Sequence, residues 1–175
     1  TTAAGADTVV AIGDANPDFK MGFISDFTWK SLGFHVLGDW QQGSQILNLT
    51  TLLYDFGGVS PDYADPVPGS TLTKGPARLA AFGTVAKTFI EDATFLKIRE
   101  ISVSYELPAS TVRSVWGVFS GGRVTLSGRN LFTFSGYRGL DPEVSNFGNQ
   151  AIARNIDVTP FPPSRSFFLT FDLRF

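Results

Sequence analysis

No cysteine occurs among the 175 residues, which excludes disulfides, thiolate metal sites and cysteine nucleophiles together. Histidine is nearly as scarce. His35 stands alone, and one histidine without a fixed serine or carboxylate partner is a poor basis for catalysis. Charge of one sign is not in excess: the net charge is −2, with no basic field for nucleic acid and no block of like charge. Long apolar runs are missing too. The longest, such as Val115 to Phe119, fall far short of a membrane helix. The N-terminus, Thr1-Thr2-Ala3-Ala4, has neither an initiating methionine nor a positive region followed by an apolar one. The chain is therefore expected to start inside a longer polypeptide or after processing.

What is abundant points to strands and turns. There are seventeen phenylalanines, eighteen glycines and ten prolines. From Phe167 to Phe175 every second residue is large and apolar: Phe167, Leu169, Phe171, Leu173 and Phe175. Such alternation marks a strand with one apolar and one polar face. Similar patterns predict strands at about 19–30, 34–42, 95–107, 123–134 and 166–175. Phe19, Met21, Phe23, Phe27 and Trp29 share one face of the first, and Phe34, Val36, Gly38 and Trp40 one face of the second. In the fourth, Val124, Leu126, Gly128, Asn130, Phe132 and Phe134 are assigned to one face. The third changes parity between Ile98 and Ile101, which predicts a β-bulge at Arg99-Glu100. With that bulge the apolar faces carry no charge, and Lys20, Asp26, Lys30, His35, Asp39, Glu100, Glu106, Arg123, Arg129, Asp172 and Arg174 lie opposite.

The connections alternate in length. A tight one is expected at Ser31-Leu32-Gly33, an aperiodic loop at about 43–87, a moderate link at 108–122, and a second long loop at about 135–164. Outer-membrane barrels place short turns at the periplasm and long loops outside. With Phe175 at the periplasmic end, both long loops fall outside. Aromatics then form two girdles, with Trp29, Phe34 and Tyr105 near one rim and Phe19, Trp40 and Phe132 near the other. The fold class is therefore all-β, an antiparallel transmembrane barrel segment in membrane lipid. Five strands cannot close a barrel, since spanning barrels begin at about eight. The chain must belong to a larger wall. A different outer-membrane barrel, such as a passive channel, and a soluble secreted β-sandwich remain as alternatives.

Several segments together resemble a known family. Gly128-Arg129-Asn130-Leu131-Phe132-Thr133-Phe134, followed by Tyr137, Gly139 and Asp141-Pro142-Glu143-Val144, is similar to the penultimate-strand motif of the SusC/RagA family of TonB-linked outer-membrane transporters. Phe95 to Pro108 resembles the preceding strand, and Phe161-Pro162, Arg165, Phe167 and Phe175 the closing segment. Gly13 to Phe19 and the Trp29-Lys30 turn fit the same register. The resemblance implies a barrel of about twenty-two strands with an N-terminal plug, of which this chain supplies the last five. It implies uptake of oligosaccharides or peptides through the TonB complex, a SusD-like surface lipoprotein as lid, and location in the bacterial outer membrane. Phe167, Leu169, Phe171, Leu173 and Phe175 are then the signal read by the barrel-assembly machinery.

No enzyme, cofactor or metal site is expected. Tyr54, Phe56 and Tyr63 in the first long loop are candidates for contact with a sugar or lid protein. Asp62 and Asp65 lack the ligand density of a calcium loop. Asp141-Pro142-Glu143 is expected to be a turn with exposed acids. Gly38 and Gly128 are expected to relieve crowding on the apolar face, and Gly5, Gly13, Gly57 and Gly58 form no phosphate loop.

Overall fold

A computed structural model describes residues 11–85, 87–143 and 155–175, so Gly5 and Val144 lie outside the described residues. The chain divides into two units. The first is a five-stranded antiparallel sheet of β1 (Phe19–Trp29), β2 (Leu32–Gln42), β5 (Phe95–Leu107), β6 (Gly121–Ser135) and β8 (Ser166–Arg174) in that order. Between β5 and β6 lies a helix, α3 (Ala109–Trp116). The second unit holds β3 (Gln45–Asn48), α1 (Leu49–Phe56), α2 (Lys74–Ala81), β4 (Ile90–Asp92) and β7 (Ile156–Asp157).

Period-two patterning governs the sheet. Its apolar set is laid out on one face and left uncovered: Phe27, Leu126, Phe132, Phe167, Leu169 and Phe171 are all exposed. An apolar surface this continuous is out of place in water and matches a lipid-facing wall. Gly38 has the role expected of it, since a Cβ there would stand 2.1 Å from Cζ of Phe23 and 2.8 Å from the Lys97 carbonyl oxygen. The other face is a ladder of ion pairs. Arg99 grips both Asp39 oxygens at 2.6 and 2.8 Å, Arg129 meets Glu100 at 2.9 Å, and Glu106 accepts from Arg123 and Arg174 at 2.5 Å each. His35 does have a carboxylate partner: Nδ1 lies 2.7 Å from Asp26. Among the described residues no helix is long and apolar enough to cross a membrane.

Several boundaries differ from expectation. The tight connection is Lys30-Ser31, one residue earlier, because Lys30 adopts φ 54° and the Ser31 carbonyl accepts from the Glu106 amide at 2.8 Å. That bond starts β2 at Leu32, paired with Tyr105. The bulge falls where the parity change puts it. Arg99 is extra relative to β2, between Ile98 (opposite Gly38) and Glu100 (opposite Leu37). Relative to β6, the single Arg99 stands against two residues, Asn130 and Leu131.

Asn130 is therefore not an ordinary member of the apolar face. It has φ 54°, a conformation that asparagine tolerates better than most residues, and its side-chain Nδ2 donates to the Ser164 carbonyl at 3.2 Å. Leu131 then folds over Gly128, where a Cβ would meet Leu131 at 2.9 Å and Phe167 at 3.2 Å. Asn130→Val is expected to cost about 1–2 kcal/mol through this left-handed backbone, while Asn130→Gly keeps the bulge. Urea unfolding of the full-length protein separates them; equal losses would place the whole effect in the Ser164 hydrogen bond.

At one end of the sheet β2, β5 and β6 finish in register. Gln41 pairs with Phe95 and Phe95 with Ser135, while the ring of Phe19 packs on Trp40 at 4.9 Å and β8 starts at Ser166 opposite Arg129. The other end carries the two-residue turn and α3. Both edge strands, β1 and β8, have one partner each among the described residues. Unpaired edges cannot stand in hydrocarbon, so further strands must flank this sheet.

Candidate functional site

The second unit is built by polar side chains more than by a core. The stretch expected to be an aperiodic loop contains both its helices. The Asn48 side chain caps α1 by accepting from the Thr51 amide at 2.8 Å, and Leu52 turns inward. Asp55, one turn further, is fully buried and held by Arg78 of α2 through Nε at 2.6 Å and Nη2 at 2.7 Å. The same guanidinium donates to both Asp62 oxygens at 3.0 and 2.9 Å and to Ser60 at 3.1 Å. Hydrogen bonding to Asp55 drives the Arg78 pKa further up, and the bond from Arg78 pulls Asp62 below the ordinary carboxylate range, with smaller help from Arg138 and Lys74. Lys74 takes Asp65 at 2.9 Å. Asp62 and Asp65 are thus consumed by cations of their own unit, and no group of three metal-ligating side chains occurs among the described residues.

A second polar cluster ties distant segments together. β3 lies between β4, antiparallel, and β7, parallel. Ile46, Ala93 and Tyr137 form a small core beside them. Buried Asp157 accepts from the Thr50 hydroxyl on one oxygen and from the Tyr137 hydroxyl on the other, both over short distances. Burial first, then the Asp157 carboxylate, pushes the Tyr137 phenol far up, so it stays a donor. The Thr159 amide donates to Thr50 Oγ1 at 2.6 Å.

Next to this cluster opens a cleft of about 400 Å³. Its floor holds Thr50, Asp141 and Asp157, and its rim Tyr54, Leu140 and Phe161, the last 96% exposed. Carboxylate and hydroxyl oxygens beside aromatic and proline faces can accept hydrogen bonds from a ligand while covering its apolar side.

Comparison with known proteins gives a consistent answer. No family model matches the chain. The TonB-dependent receptor P3 of Formosa agariphila is 31% identical over 172 residues, 94% of this chain. The TonB-dependent receptor SusC of Bacteroides thetaiotaomicron is 33% identical over 91 residues, half of it. The RagAB peptide importer in its open-open state matches over 92% of the chain with TM-score 0.64 at 22% identity, which shows the same fold. The chain belongs to the SusC/RagA family of TonB-dependent receptors. It spans 17% of the P3 receptor and 17% of the RagAB chain, so it is one part of a receptor. The receptor is an outer-membrane β-barrel protein, and the sheet is a section of its wall.

Within this receptor segment the residues singled out by sequence are dispersed. Tyr54 reaches the cleft rim. Phe56 instead packs edge-on against Phe82 at 6.1 Å, and Tyr63 packs against Gly75, where a Cβ would be 2.0 Å from its ring. Of the family motif, Tyr137 is buried against Asp157, and Asp141 makes the turn by accepting from the Glu143 amide at 2.9 Å. Asp141 and Pro142 are buried, correcting the expectation of exposed acids; only Glu143 faces solvent. The reason is that Asp141 lines the floor of the cleft. Phe132 stays on the apolar face with Phe134, their rings stacked at 6.4 Å. Arg78, Thr50 and Asp157 were not legible locally, because their partners lie 23 and 107 residues away.

Proposed function

We propose that the receptor imports oligosaccharides or peptides across the outer membrane with energy delivered by the TonB complex, and that this chain performs no catalytic step. Its part is barrel wall, a folded extracellular unit and a terminal strand read by the barrel-assembly machinery. The observation that carries this reading is the sheet: one uncovered apolar face, one face of ion pairs, and two edge strands with one partner each among the described residues. Its passages to the second unit fall at one end and its short connections at the other, which favours an extracellular position for the second unit. The cleft of that unit is then available to cargo, and a SusD-like lipoprotein is the proposed cover of the mouth.

Uptake of labelled oligosaccharide and peptide pools by cells carrying the full-length receptor tests the reading. Entry of one class should vanish in a strain lacking TonB. Entry that persists there would make the receptor a passive channel, and entry of neither class would overturn the assignment. Removing Phe175 is expected to deplete most of the heat-modifiable receptor from the membrane. That residue ends the apolar alternation, packs on Phe119 at 4.9 Å and accepts from the Ser120 hydroxyl at 2.9 Å through its carbonyl oxygen. Undiminished heat-modifiable protein would refute its part in assembly.

A further inference from the structure

The link between β5 and β6 carries an apolar surface that nothing in the sheet unit covers. In α3, Val112, Val115 and Trp116 share one side, at the i, i+3, i+4 spacing, while Ser110, Arg113 and Ser114 lie opposite. Val112 is fully buried and seats the helix. Val115 is 63% exposed, Trp116 47%, and Val118 just beyond the helix 74%. Polar residues at these three places would cost a water-facing turn nothing, so their apolar character calls for an apolar neighbour.

The packing of the next residue indicates which one. Phe119 lies on Phe175, and Phe175 is the last of the outward alternating set that includes Leu173 and Phe171. Directly beside it, a Cβ at Gly122 would touch both Leu107 at 3.2 Å and Leu173 at 3.3 Å, so the lipid-facing surface runs unbroken to this end of the sheet. Phe119, one residue after Val118, thereby joins the α3 stretch to a surface that meets lipid. The stretch suits the boundary of the bilayer: Val115 and Trp116 on one side of the helix with Val118 just beyond it, serines opposite, and a cation, Arg113, in the last turn.

We propose that α3 and Gly117–Phe119 form an interfacial anchor, lying in the phospholipid headgroup layer with Val115, Trp116 and Val118 turned toward the acyl chains. The partner is the lipid surface itself. The assignment of this layer to the periplasmic leaflet rests on the orientation proposed above; contact with lipid does not.

Spin labels on single cysteines test this in the full-length receptor, in a cysteine-free background, reconstituted into phospholipid nanodiscs. Labels at Val115→Cys and Val118→Cys should be several-fold more accessible to oxygen relative to a water-soluble nickel chelate than a label at Ser114→Cys. Equal ratios at the three positions would place the segment in water and overturn the proposal. Shielding of Val115→Cys and Val118→Cys from both reagents would also overturn it, by showing a protein surface there. If Val115→Cys does not assemble, Val118→Cys, outside the helix, gives the same reading. The measurement needs no cargo, so it stands whether or not import is observed.

Discussion

Replacing Arg78 with alanine is expected to destabilise the second unit by about 3–5 kcal/mol, because it leaves a buried carboxylate without its cation. Asp55 has no exposed side-chain surface and receives two of the guanidinium's donors, while Ser60 reaches only one of its oxygens. Arg78→Lys should recover only part of the loss, since an ammonium cannot serve Asp55 and Asp62 in the same planar fork. Removing both charges, with Arg78→Met and Asp55→Leu together, should be far milder than either single change. Hydrogen exchange on the full-length receptor would show the effect as faster exchange across α1 and α2, with sheet amides unchanged. Unaltered protection in α1 would refute the clamp. Acid weakens the same clamp from the carboxylate side. Asp62 titrates lower when folded than its ordinary value of 3.8, so its contribution is complete above that value and fades as pH falls through the lower one.

Leu126→Arg should lower receptor stability in the membrane by roughly 2–4 kcal/mol, the cost of a cation near the middle of a barrel's lipid face. Leu126 lies between Val103 and Leu169 at the centre of the outward face. Its neighbour Thr125 points the other way, toward the ion-pair ladder, and Thr125→Arg should stay within about 0.5 kcal/mol of the parent. Denaturant titration in lipid vesicles distinguishes the two. Equal effects would mean that the outward face does not meet lipid.

The sheet was legible in sequence because one boundary, lipid against water, dictates every second residue along a strand. A parity change at Ile98–Ile101 even exposed the bulge in β5. Its counterpart in β6 left a fainter trace: an asparagine, the non-glycine residue that best accepts left-handed backbone, at Asn130. The second unit obeys no such boundary. α1 did leave a signal, with Asn48 as cap and Leu49, Leu52, Leu53 and Phe56 at helical spacing, but eight residues are too few to stand out in a loop rich in glycine and proline. α2 has less, with no side-chain cap and a proline in its first turn. What fixes both helices is the Arg78 clamp and the hydroxyl pair on Asp157, and contacts across such separations leave no local period. The cleft inherits that opacity, since its floor joins Thr50 to Asp157 across the chain.

The excursion between β2 and β5 is fastened at its own base, where the Gly43 amide donates to the Thr94 hydroxyl at 3.1 Å and the Ala93 amide to the Ser44 carbonyl at 2.8 Å. For chain entropy this changes the effective length of the connection. An unfolded Gln42–Thr94 segment would make strand pairing pay loop closure over its whole span, a penalty that grows with the logarithm of length. Once clasped, the same segment behaves as a short hairpin turn, delivering β2 and β5 side by side. The clasp thus lowers the closure cost of pairing β2 with β5, which makes the Ser44–Ala93 contact a folding determinant as well as a stabilising one.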